Sequence, residues 1–299
     1  MQMNDYIELV NHKLDEFIPI EYPENIFRAM KYTVTLQGKR LRPVMCLETC
    51  RMLGGNIEDA IPTACAIEML HAQTLIHDDL PCMDNDDYRR GKLTNHKVFG
   101  EAIAVLAGDA LLTYAPQVIT KYSKNLSPSV LIRILNEYFQ FAGARGVIAG
   151  QVVDIESEGM LYEKNDISDK KQYAEILEYL HLHKTSDLFQ LAMRTGAIIA
   201  GADDDKILVL TEFAKIFGLA FQIADDILDE ISTFQQMGKT LGKDREEGKL
   251  TYVSLYGLEE AKCKLSCLFE KCYDIIKTQN FESEIFDDMI KNIKKRVGI

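Results

Sequence analysis

Six aspartates fall in two short runs, Asp78-Asp79-Leu80-Pro81-Cys82-Met83-Asp84 and Asp225-Asp226-Ile227-Leu228-Asp229, and each run directly follows an apolar helical stretch. Carboxylates bunched at the end of a buried element repel one another and resist desolvation, so a cation or cationic ligand is the usual reason to place them there. A donor set made only of oxygens points to a hard ion such as magnesium.

The spacing before each run tells which side chains share a face. His71, Thr74, Leu75 and Asp78 follow the i, i+3, i+4, i+7 pattern and line one side of the helix that leads into the first run. Pro81 should end or bend that helix at about Leu80, because an interior proline removes a backbone donor and clashes with the preceding turn. Asp84 is off the Asp78 face of an ideal helix, so the bend must bring it back. In the second run Asp225 and Asp229 are one turn apart, and Gln222 precedes Asp225 by three, so these three can face one cavity.

Basic residues near both runs indicate what the cations would hold. Gly38-Lys39-Arg40-Leu41-Arg42-Pro43 puts three cations at a predicted helix start, where the macrodipole disfavours positive charge and a bound anion would relieve the conflict. Arg89-Arg90-Gly91-Lys92 follows the first run, His181 to Lys184 lies mid-helix, and Lys239 and Lys249 follow the second run. Carboxylates facing Arg and Lys suit a magnesium-bridged phosphate or diphosphate: the metal joins two kinds of anion, and the basic side chains take the remaining phosphate oxygens.

The elements that must position these residues read as helices nearly throughout. The 3.6-residue period predicts helices at roughly 4–17, 24–36, 43–53, 57–79, 97–122, 128–158, 170–200, 204–232, 250–276 and 282–296. Ser127-Pro128 and Asn56 are predicted caps, and Gly54-Gly55, Gly201 and Gly257 sit near helix ends. There is no sustained alternating strand pattern and no Pro-, Gly- or Ser-rich linker, so residues 1–299 are expected to form a single all-α domain. At 299 residues and 47% hydrophobic, the chain can bury a large core. Its net charge of −12 argues against nonspecific binding of nucleic acid or anionic membrane, and any anionic substrate needs a local site. The N-terminal residues lack a signal-peptide pattern, and the apolar stretches are broken by Asp, Glu or Lys short of about 20 residues, so no membrane insertion is expected. Seven cysteines without a Cys-x-x-Cys are expected as reduced thiols of a cytoplasmic protein.

At the quoted residues, and also at Glu68-Met69-Leu70-His71, Leu75-Ile76-His77, Asn85-Asp86-Asp87-Tyr88, Gly150-Gln151, His183-Lys184-Thr185 and Phe221 to Asp229, the chain resembles the all-trans polyprenyl diphosphate synthase family over nearly its whole length. The resemblance implies an all-α helical bundle around a deep central cavity, assembled as a homodimer. It also implies a short-chain prenyltransferase that condenses isopentenyl diphosphate with dimethylallyl, geranyl or farnesyl diphosphate. Asp78, Asp79, Asp84, Asp225, Asp226 and Asp229 would hold about three magnesium ions on the allylic diphosphate. Arg89, Lys184, Thr185, Gln222, Lys239 and Lys249 match positions that contact that diphosphate, whereas isopentenyl diphosphate would sit on Lys39, Arg42, His71 and Arg90. Charge developing on departing pyrophosphate would be stabilised, the isopentenyl double bond would attack the allylic cation, and pyrophosphate itself would accept the proton. In this family the product is measured near four and five residues before the first aspartate, here Thr74 and Gln73. Many farnesyl synthases carry an aromatic residue at the latter position, so Gln73 tilts the expectation from a C15 to a C20 product.

Each of these residues also has a blander reading. A lone Asp-Asp pair is more often a cap or a solvated face. His71 and His77 could be hydrogen-bonded packing histidines, and His77 is expected to be one. Arg40, Lys92 and Lys97 read as solvated charges. Gln151 and Asp154 could line a cavity or form an interior polar pair. A calcium loop from Asp84 fails, because Arg89 stands where glycine is required and Asn95 where glutamate is. A metal phosphohydrolase would need more histidines. A class I terpene cyclase would usually replace the second run with a spaced Asn/Asp, Ser/Thr, Glu pattern, and a noncatalytic subunit of a heteromeric synthase typically loses the acidic runs.

Overall fold

A computed structural model describes residues 1–157, 170–231, 249–281 and 283–299. In chain order its helices are α1 (Met3–Phe17), α2 (Glu24–Thr35), α3 (Leu41–Met52), α4 (Ile57–Asp78), α5 (Asn95–Phe99), α6 (Glu101–Tyr122), α7 (Pro128–Ala142), α8 (Val147–Ser157), α9 (Lys170–Leu180), α10 (Asp187–Ile199), α11 (Asp204–Ile231), α12 (Tyr252–Tyr256), α13 (Leu258–Thr278) and α14 (Glu284–Val297). A six-residue π-helical turn, His181–Ser186, joins α9 to α10. The all-α expectation holds; among the described residues, extended structure is limited to β1 (Tyr88–Arg89) and β2 (Lys92–Leu93), an antiparallel pair turned at Arg90-Gly91.

Two compact units are distinguishable: Met1–Tyr138 with Ala192–Asp203, and Phe139–Leu191 with Asp204–Ile299. In the first, α4 is the core element. It is apolar around most of its circumference, with Ile61, Ala64, Cys65, Ile67, Met69, Leu70 and Ile76 buried, as a helix surrounded by protein must be. It packs against α3 and α6, and its start is capped where Asn56 Oδ1 accepts from the Glu58 N–H at 3.2 Å. Close approach of α6 depends on Gly108: a Cβ there would lie 2.0 Å from His77 Nε2.

In the second unit α11 is the core element. Phe213 and Phe217 stack, Phe189 meets Phe217 edge-on and Phe286 packs on Phe213. The π turn fits because two glycines leave it room: a Cβ at Gly150 would fall 2.3 Å from the Lys184 backbone N, and one at Gly218 2.4 Å from Ser186 Oγ.

Several predicted helices are interrupted. The 97–122 and 250–276 segments break at Gly100 and Gly257, whose φ values of 85° and 87° lie in a region that residues with side chains avoid. The 128–158 segment divides into α7 and α8 around Gly143 and Gly146, and 170–200 contains the π turn. Helical periodicity carries across such breaks, so hydrophobic pattern alone does not place them. The expectation that no apolar stretch is long enough for a membrane span is also corrected. By length and composition α6 and α11 both qualify, because a single interior charge such as Asp109 does not divide the stretch. A core helix passes the same test, and each of these contributes buried side chains to its own unit.

Candidate active site

The first aspartate run is shaped by the end of α4. The helix stops at Asp78, and the Asp79 N–H still donates to the Leu75 carbonyl at 3.1 Å. Beyond Pro81 the chain turns back: the Met83 and Asn85 N–H groups donate to the Leu80 carbonyl at 2.9 and 3.0 Å, and the Asp84 N–H donates to the Asp78 carbonyl at 2.9 Å. Asn85 takes a left-handed φ of 49° to close this turn. The bend that the sequence requires is therefore present, and it returns Asp84 to Asp78.

Asp79 has a different environment from both. It is 1% exposed, and its Oδ1 accepts from Arg89 Nε at 2.9 Å and from Arg89 Nη2, which also reaches Asp86. Burial pushes its carboxyl up to about 6, with the Arg89 guanidinium working against that rise. Arg89, expected on a substrate diphosphate, here braces the acidic turn. Asp78 and Asp84 are half-buried.

On the same unit, Arg42 Nη1 and Arg90 Nη2 each lie 3.5 Å from His71 Nε2. Burial and then the charges of Arg42 and Arg90 hold the His71 pKa well below its ordinary value, so the ring is neutral and its Nε2 is an acceptor for both guanidinium groups. Arg90 has a left-handed φ of 54°, and its guanidinium fills the space at Gly38, where a Cβ would lie 2.6 Å from Nη1. Lys39, next to Gly38 in the chain, is exposed. Two arginines converging on one neutral imidazole can grip a polyanion, with the imidazole orienting the forks.

Arg40 contradicts its expected solvated state. It is 3% exposed, and donates to Glu68 at 2.5 Å, to Asn11 Oδ1 at 2.8 Å and to the carbonyls of Val34 and Leu36. A buried guanidinium is tolerable only when its donors are satisfied in this way. Lys97 pairs with Asp87 at 2.7 Å, and Lys92 is exposed.

The neutral His71 gives a pH prediction. Its folded pKa is depressed, so below about 6.5 the unfolded chain takes up a proton that the folded chain refuses, and stability is lost as pH falls. Asp79 and Asp187, both raised to about 6 by burial, act in the opposite sense from there downward, so the His71 contribution must be isolated by difference. The stability of the native protein minus that of His71→Asn should fall between pH 7 and 5.5 by up to about 1.4 kcal/mol per pH unit; a pH-independent difference in urea unfolding would contradict a neutral His71.

Of the two positions tied to product length, Gln73 is buried and its Nε2 lies 3.1 Å from His77 Nδ1. His77 Nε2 in turn lies 3.1 Å from the Val105 carbonyl of α6 and must donate to it, leaving Nδ1 to accept from Gln73. The Thr74 hydroxyl donates to the His71 carbonyl of its own helix at 2.8 Å.

In the second unit the hydrogen bonds form one chain. Thr185 Oγ1 donates to Gln222 Oε1 at 2.6 Å, and Gln222 Nε2 donates to Asp226 Oδ1 at 3.0 Å. Asp226 Oδ2 accepts from the Tyr252 N–H at 2.8 Å and lies 3.4 Å from His181 Nε2. Burial works to raise the Asp226 pKa, but His181, the Tyr252 N–H and Gln222 outweigh it and hold the carboxyl below its usual range. Lys184 is ion-paired with the buried Asp154. Asp225, Asp229 and Lys249 are half-buried, His183 bonds Asp187 at 2.9 Å, and Lys239 lies outside the described residues.

The carboxylate oxygens fit a hard cation, and the donor set contains no thiol. Among the described residues no three carboxylate, imidazole or thiol groups converge as a ready-made metal cage. Further oxygens would have to come from an anionic ligand or water, as magnesium commonly requires. Sequence reasoning left Asp154 undecided and took His181 only as the start of a basic stretch; neither partner of these residues lies at a helical spacing that would have revealed the pairing.

A family model described as Polyprenyl synthetase matches residues 23–292. The chain is 48% identical over 257 residues to the heterodimeric geranylgeranyl pyrophosphate synthase large subunit 1, chloroplastic, of Arabidopsis thaliana, spanning 85% of this chain and 67% of that one. It is 46% identical over 264 residues to a dimethylallyltranstransferase of Fischerella ambigua, spanning 88% and 74%. Among solved structures, a Helicobacter pylori geranyltransferase complexed with magnesium and isoprenyl diphosphate superposes with a TM-score of 0.83 at 27% identity, over 98% of this chain and 95% of that one. A Thermotoga maritima geranyltranstransferase superposes at 0.80 and 28% identity, over 99% and 98%.

Proposed function

Because the chain belongs to the polyprenyl synthetase family and is a short-chain trans-prenyltransferase, we propose that it condenses isopentenyl diphosphate with allylic diphosphates to make geranylgeranyl diphosphate (C20). The observation that carries the substrate assignment is the pair of arginines, Arg42 and Arg90, drawn onto the neutral His71 in the same unit as the Asp78–Asp84 turn. We read residues 1–299 as one synthase domain, in keeping with matches that run along 97–99% of the chain.

Asp78, Asp84, Asp225 and Asp229, the half-buried carboxylates, are assigned to magnesium, about three ions in all. When bound, magnesium neutralises charge on the departing pyrophosphate. Asp79 and Asp226 are buried and already engaged by protein donors, so we assign them to bracing the two runs. Arg89, Lys184, Thr185, Gln222, Lys239 and Lys249 are assigned to the allylic diphosphate. Lys184 would exchange its Asp154 partner for a phosphate oxygen, and Arg89 would act while still held to Asp79. Lys39, Arg42, His71 and Arg90 are assigned to isopentenyl diphosphate, with His71 orienting the arginines. A homodimer is supported by α8, where Ile148, Val152 and Ile155 form an exposed apolar stripe at helical spacing.

Product length is assigned to Gln73 and Thr74. The Gln73 amide is drawn to His77, which favours a longer tail than an aromatic residue at the same position would allow. The test is to supply magnesium, isopentenyl diphosphate and, separately, dimethylallyl, geranyl and farnesyl diphosphate, then size the dephosphorylated products. We expect C20 from all three primers, and shorter products from Gln73→Tyr. Accumulation of C15 with farnesyl diphosphate unused would make the protein a farnesyl synthase, an unchanged distribution in Gln73→Tyr would remove that residue as a ruler, and no elongation by a folded sample would refute the catalytic reading.

A further inference from the structure

The second aspartate run depends on a residue outside it. We propose that His181 is a positioning residue for this run: its Nε2 holds the Asp226 carboxylate, and through Asp226 and Gln222 it keeps the π turn bearing Lys184 and Thr185 in register with Asp225 and Asp229. The inference rests on the reading that Asp225 and Asp229 hold magnesium and that Lys184 and Thr185 meet the diphosphate.

The geometry makes Asp226 a hub. It is 6% exposed and is engaged from three directions: by Gln222 one turn earlier on α11, by the backbone at the start of α12, and by His181 at the start of the π turn. A carboxylate engaged in this way on both oxygens is fixed in orientation, and so is the face that its neighbour Asp225 presents. The continuation Gln222 to Thr185 closes a loop, because Thr185 and His181 belong to the same turn. That turn is therefore fastened to α11 at two points, one on either side of Lys184.

Among the described residues His181 has no other polar partner. It is 2% exposed, and its Nδ1 is buried with no hydrogen-bond partner among the described residues. Burying an unsatisfied ring nitrogen is unfavourable, so an apolar side chain would serve packing alone better. What the imidazole adds is the Nε2 contact to Asp226.

The test compares His181→Gln, whose amide nitrogen can occupy the Nε2 position, with His181→Asn, which falls about one bond short, and with His181→Phe. Magnesium binding is measured by calorimetry in the presence of an unreactive allylic thiolodiphosphate, alongside steady-state elongation. We expect His181→Asn and His181→Phe to weaken magnesium binding at least tenfold and to lower kcat, with KM for isopentenyl diphosphate within twofold of native, while His181→Gln stays within threefold throughout. Equal behaviour of the Gln and Asn variants, or unmoved magnesium affinity in the Asn variant, overturns the proposal. Failure of the Asn variant to fold, with or without the Gln variant, also overturns it, because the loss is then one of stability. If His181→Phe alone fails to fold, the Gln and Asn pair decides. Native protein that neither binds magnesium with the thiolodiphosphate nor elongates refutes the functional reading itself, whereas native binding with an indifferent Asn variant refutes only the role of His181.

Discussion

Replacing Asp78 with asparagine should lower kcat/KM by about a thousandfold, and Asp225→Asn should do the same, with helix content and thermal unfolding close to native. The substitution keeps shape and removes one full charge. A carboxamide oxygen is a poor ligand for a hard cation, and the cation's task is to stabilise charge on the leaving pyrophosphate. Loss of such stabilisation is worth about 4 kcal/mol, or roughly three powers of ten in rate. Asp79→Asn should behave differently. It takes from the buried Arg89 the carboxylate it holds most closely, leaving Asp86 at 3.2 Å, so its main effect should be on stability, on the order of 3 kcal/mol in denaturant unfolding. Activity within tenfold of native for Asp78→Asn, across a magnesium titration, would exclude that run as the metal site.

The second large effect is expected at the other anion site. Arg42→Met with Arg90→Met should raise KM for isopentenyl diphosphate by a hundredfold or more, leaving the magnesium requirement and KM for the allylic substrate within about threefold. A charge-assisted hydrogen bond contributes roughly 1.5–3 kcal/mol, so each arginine is worth about ten- to 150-fold, and the pair less than the product because both act through His71. Methionine preserves the apolar stem of each side chain, so packing around His71 should change little. Equal losses for both substrates would show that these arginines do not discriminate between the two diphosphates.

Much of this site was legible in the chain because the relevant physics is local. Pro81 predicts the bend after α4, and the Asp84 N–H to Asp78 carbonyl bond is that bend realised. Helical spacing sets Gln222 beside Asp225, three residues on; the structure gives its amide to Asp226, four residues on. Asn56 and Ser127 cap the helices that follow them, since capping needs only a side-chain oxygen two or three residues before an open N–H.

Arg40 shows where local reading stops. It stands in a basic stretch between Lys39 and Arg42, which offers solvent as its environment, yet its partners are Asn11, Glu68 and the carbonyls of Val34 and Leu36. Gly257 was legible as a residue near a helix end, but the break at Gly100 and the π turn escaped for a related reason. A hydrophobic period records which face is buried, and that face continues across a kink.

Residue type and helical period, which need no reference to distant chain, fix the helical class and the spacing of both aspartate runs and of the basic residues around them. Folding is what divides the aspartates by environment. Asp79 and Asp226 are buried against Arg89, His181 and the Tyr252 backbone, while Asp78, Asp84, Asp225 and Asp229 keep some exposure. Adjacent carboxylates are chemically identical along the chain, and what separates them is desolvation and the donors that folding delivers from far away in sequence.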